Sequence, residues 1–82
     1  MSTERLVWQG QKQEKQQEAR RLELSGTSLR TEIRTILNPH LPVHEIDQER
    51  LAALSFELAD KVIRFKALRA EIEAIKQSLG EA

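Results

Sequence analysis

The stretch ILNPHLPVHEID, residues 36 to 47, contains both prolines and both histidines of the chain, and its reading decides the fold. Pro39 disfavours the α conformation at Asn38 and lacks the N–H that a continuing helix needs. Pro42 repeats the block, and Asp47 is suited to restart a helix by accepting a bond from a free backbone N–H. The segment from Asn38 to Ile46 is long enough to reverse the chain, with Leu41, Val43 and Ile46 expected to fold inward and plug the end. The stretch reads as a bend between two helices.

Downstream of the bend the apolar residues fall at Leu51, Leu54, Leu58, Phe65, Leu68, Ile72, Ile75 and Leu79. Their spacing alternates three and four, with one missed step at Lys61, where Val62 stands beside it. Such a heptad seam keeps one stripe of a helix facing a partner, as in a coiled coil. Glu49 lies favourably in the first turn, Ile46 is spaced to pack on Leu51 as a hydrophobic staple, and Gly80 suits the left-handed position after the last turn. Helix 2 is expected over about residues 47–79, close to 50 Å at 1.5 Å per residue.

Upstream, Ala19, Leu22, Gly26, Leu29, Ile33 and Ile36 step by the same intervals, which predicts a first helix over about residues 3–37. Gly10 and Gly26 are its soft spots, since glycine within a helix costs about 1 kcal/mol relative to alanine. The run QGQKQEKQQE, residues 9 to 18, has no apolar residue and reads as a solvated helical extension. Folded as an antiparallel hairpin, the two seams match: Ile36 with Leu51, Ile33 with Leu54, Leu29 with Leu58, Leu22 with Phe65, and Gly26 with Lys61 and Val62. Beyond that point Ile72 meets Lys15 and Ile75 meets Lys12, with Trp8 left for Leu79. On hydropathy alone this end should be wet.

Helix 2 also has a second apolar face, made of Ala53, Phe56, Ile63, Ala67, Ala70 and Ala74. A helix in a two-helix hairpin needs one such face, and exposed apolar patches mark interfaces. The expected architecture is therefore all-α: one helical-hairpin domain spanning 1–82 that dimerises into a four-helix assembly. The residues expected at the interface are Trp8, Phe56, Ile63, Ala67, Ala70, Ile72, Ile75 and Leu79. A helix of another protein, capped by this one in the manner of a chaperone, would use the same surface.

Composition narrows the function. Eighty-two residues give a thin core, and the absence of cysteine excludes disulfides and thiolate metal sites. Thirteen basic and thirteen acidic residues cancel, so no global field draws the chain to nucleic acid or an anionic membrane. No apolar run approaches the roughly 20 residues of a membrane span, and Leu6–Trp8 is too short a run for a signal peptide. A cytoplasmic location is expected.

His40, His44, Glu45 and Asp47 are the only cluster with metal-ligand chemistry, but Pro42 separates the histidines and the spacing fits no metal motif. No catalytic residue, cofactor or small-molecule substrate is expected. The rival to a helix–helix interaction protein is a nucleic-acid module using Arg20, Arg21, Arg30 and Arg34 as phosphate contacts. Residues 1–37 hold seven basic against five acidic residues and residues 45–82 six against eight, an opposition that also favours antiparallel pairing.

Overall fold

In the computed structural model, which describes residues 3–81, the chain forms an antiparallel helical hairpin about 63 Å long and 19 by 14 Å across. Helix α1 spans Thr3–Ile36 and helix α2 spans Gln48–Ser78. A single 3-10 turn, Val43–Glu45, lies in the bend between them. Met1, Ser2 and Ala82, part of the expected domain, lie outside the described residues.

The ends of α2 follow from local chemistry. The Asp47 carboxylate accepts from the backbone N–H of Arg50 at 3.1 Å, closing the first turn. At the other end Gly80 adopts φ +75°, and the N–H groups of Glu81 and Gly80 donate to the carbonyls of Lys76 and Gln77 at 2.8 and 3.1 Å. This pair of bonds satisfies carbonyls that the helix leaves open, and it requires the left-handed backbone that glycine adopts without a side-chain clash. Gly80→Ala should therefore cost about 1 kcal/mol, read as a lower midpoint in urea.

Helix α1 runs uninterrupted through Gly10 and Gly26. A Cβ added at Gly26 would meet Leu58 Cδ1 at 3.8 Å, an ordinary contact, so this glycine marks neither a break nor a forced close approach. Gly26→Ala is expected to stabilise the hairpin by about 0.5–1 kcal/mol through helix propensity, measured by chemical denaturation.

The bend is held by its own polar groups. The Asn38 side chain accepts from His40 N–H at 2.9 Å, and its carbonyl accepts from Leu41 N–H at 3.0 Å. Leu41 and Ile46 are half-buried beneath the turn, but Val43 is 84% exposed, correcting the expectation that it plugs the end. It follows the extended Pro42 and opens the 3-10 turn, which presents it outward while the two larger side chains take the space below.

Packing is confined to one seam. Ala19, Leu68 and Ile72 form its best-covered cluster, with Leu22 and Phe65 packed against it, and Leu29 and Leu79 are also buried. No charged or polar residue is buried among the described residues. Two ion pairs cross one flank: Glu18 with Arg64 at 2.6 Å and Glu32 with Arg50 at 3.2 Å. The step from Glu18 to Glu32 along α1 equals the step from Arg64 back to Arg50 along α2, so the register is constant between them. Arg64 reaches across the hairpin to Glu18 instead of pairing along its own helix with Asp60.

The far end is not wet. Ile72 is 8% exposed and Leu79 only 5%, and Ile75 is half-buried. Lys15 and Lys12 occupy the seam positions facing Ile72 and Ile75, and the Lys12 side chain is itself only 18% exposed. Their apolar stems lie along the seam while the ammonium groups reach Glu71 at 2.9 Å and Glu81 at 2.6 Å. Trp8 shares a small surface cleft with Leu79 and closes the end.

The Lys12 hydrogen bond holds the Glu81 carboxyl below its ordinary pKa. A depressed carboxyl pKa contributes stability above the unfolded-state value, and the contribution is lost as pH falls through the folded value. An NMR titration of the Glu81 carboxyl should give a midpoint below the usual glutamate range. Lys12→Gln should move it back up.

Candidate helix–helix interface

Because α2 satisfies α1 along a single stripe, its opposite side is left to solvent. On that side Ala53, Phe56, Asp60, Ile63, Ala67, Ala70, Ala74 and Gln77 again step by three and four, a second heptad stripe turned away from the first. All of these positions are exposed; Phe56 is 80% and Ile63 68% exposed. Bulk is concentrated in the half nearer the bend, where Phe56 and Ile63 project. The other half is alanine, a surface low enough for a second helix to approach closely.

The residues expected at an interface thus fall into two groups. Phe56, Ile63, Ala67 and Ala70 lie on the open outer stripe. Ile72 and Leu79 are buried in the hairpin's own seam, Ile72 beside Ala19 and Leu68, and Ile75 is half-buried there. Trp8 sits at the edge of the seam, with more than a third of its surface open.

The arginines also divide. Arg20, Arg21, Arg30 and Arg34 are all exposed, and none forms an ion pair among the described residues. At about 100° per residue, Arg20, Arg30 and Arg34 share one side of α1 while Arg21 points away from it. The sequence reading missed the cations that α2 adds to that side. Arg20 lines a shallow groove with Arg69 and Lys76, and Arg30 lines another with Lys61. Glu23 and Glu73 interrupt the row. Spacing within one helix gives no sign of this gathering, because it depends on how the two helices are rotated against each other.

The bend holds His40, His44, Glu45 and Asp47 at the surface. Among the described residues no three histidine, aspartate or glutamate side chains are placed to hold a metal ion. No described helix is long and apolar enough to cross a membrane. The chain matches no family model, no curated protein and no solved structure.

Proposed function

We propose that this chain is a non-enzymatic helix–helix interaction protein that self-associates through the outer face of α2, acting as an adaptor or assembly factor. The observation that carries the reading is the exposed second heptad stripe with Phe56 and Ile63 in its half nearer the bend. Burying a Phe or Ile side chain stabilises a complex by roughly 1.5–3 kcal/mol each. A hairpin whose own seam is already closed along its length has no internal use for these residues. Sedimentation equilibrium over the micromolar range tests the proposal: a dimer is expected, and a folded monomer at every concentration would sink it.

A second reading, nucleic-acid binding, is favoured by the cations of both helices along one flank. It predicts weak binding to any duplex DNA at low salt, steeply reduced as salt rises and lost on replacing Arg20, Arg30 and Arg34 together with glutamine. Binding that is absent at low salt, or indifferent to those arginines, would remove it.

A further inference from the structure

We infer that the second copy docks antiparallel on the outer stripe of α2, in a register that sets Ile63 against Ala67 and Phe56 against Ala74. The inference rests on the self-association proposed above and adds its geometry. It starts from the sizes along the stripe. In this register each bulky residue meets an alanine, and Ala53 meets Gln77. Asp60, the stripe's one charged residue, meets Ala70 and is not held against another apolar bulk. Large-against-small pairing lets two helices approach closely without leaving voids.

Charge selects the same register independently. In the hairpin, the ion pairs Glu18–Arg64 and Glu32–Arg50 show how flanking positions meet beside a seam in antiparallel helices. Mirrored to the other side of the outer stripe, that offset brings Arg64 of one copy opposite Glu71 of the other, twice by symmetry. It also sets Lys66 of the second copy opposite Ala59, beside Asp60. Since Arg64 already holds Glu18 and Glu71 already holds Lys15, the contact joins the two hairpins' flanking charges in an alternating row.

The alternatives each meet a conflict. Sliding one heptad in one direction puts Asp60 against Ile63 and Arg64 against its own copy. Sliding in the other direction carries Phe56 past the end of the partner's stripe and faces Glu71 with Glu71. A parallel pair stacks Phe56 on Phe56 and Asp60 on Asp60, holding the helices apart over the alanines. Like charges placed directly opposite are unfavourable.

A spin-label distance tests the register. The chain has no cysteine, so Gln48→Cys carries a single nitroxide at the exposed start of α2, outside both stripes. At 1.5 Å per residue the proposed register separates the two labels by about 50 Å, against roughly 40 or 60 Å for the neighbouring registers and under about 25 Å for a parallel pair. A separation near 50 Å that is lost with Ile63→Asp supports the register. Any of the other distances overturns it while leaving self-association standing, as does a 50 Å signal that survives Ile63→Asp. No dipolar coupling at concentrations above the dimer range overturns both.

Discussion

Leu68→Ala is expected to cost about 2–4 kcal/mol and to leave much of the chain unfolded in dilute buffer. Leu68 is buried at the centre of the best-covered part of the seam, beside Ala19 and Ile72 and with Phe65 and Leu22 packed around it. Removing its isobutyl group loses the transfer energy of those carbons and leaves a gap that two helices can close only by shifting. A hairpin of this size has little stability in reserve, because among the described residues no side chain is fully enclosed and only five apolar residues are buried. Urea denaturation followed by helical circular dichroism measures the effect. A loss below about 1 kcal/mol would show that the seam between the helices does not hold the hairpin at this point.

Ile63→Asp should behave in the opposite way. The residue is on the far side of α2, 68% exposed, so the hairpin keeps its helicity. Its near neighbours on the helix surface are Asp60 and Lys66, whose effects on a new carboxylate oppose each other. In the proposed dimer the substitution acts twice, once in each copy. It removes at least about 3 kcal/mol of apolar burial and forces two carboxylates into a close-packed stripe. Since 1.4 kcal/mol is tenfold in affinity, dissociation should strengthen by about 100-fold or more, visible as a shift from dimer to monomer in sedimentation. A dimer of unchanged affinity would place the contact elsewhere. Together the two variants separate the residues that fold the chain from those proposed to join two chains.

Features set by neighbouring residues were legible in the sequence. The Asp47 cap, the Gly80 turn and the proline-blocked bend each depend on atoms a few positions apart, so residue type and order suffice. The inner seams were also legible, including the pairing of Leu22 with Phe65, because a heptad period states which residues share a face. The outer stripe, too, was visible as a second period on α2.

Three features were not. Hydropathy assigns a lysine to water as a whole residue, yet Lys12 and Lys15 divide, with stems along the seam and ammonium groups on Glu81 and Glu71. At that end Ile72 and Leu79 are buried within the hairpin and Ile75 is half-buried. Val43 turned outward because the path of a short bend depends on its backbone angles more than on hydrophobicity. The gathering of Arg20 with Arg69 and Lys76 depends on the relative rotation of two helices, which neither helix encodes alone.

The sequence by itself thus determined two heptad helices, where the chain reverses, and that α2 has one apolar face more than a hairpin uses. These follow from spacing and from caps, which act within a turn or two of helix. Only the tertiary structure decided that Ile72, Ile75 and Leu79 at the far end of the inner seam are covered within the hairpin, because coverage depends on what lies opposite. Here the residues lying opposite were charged side chains with apolar stems.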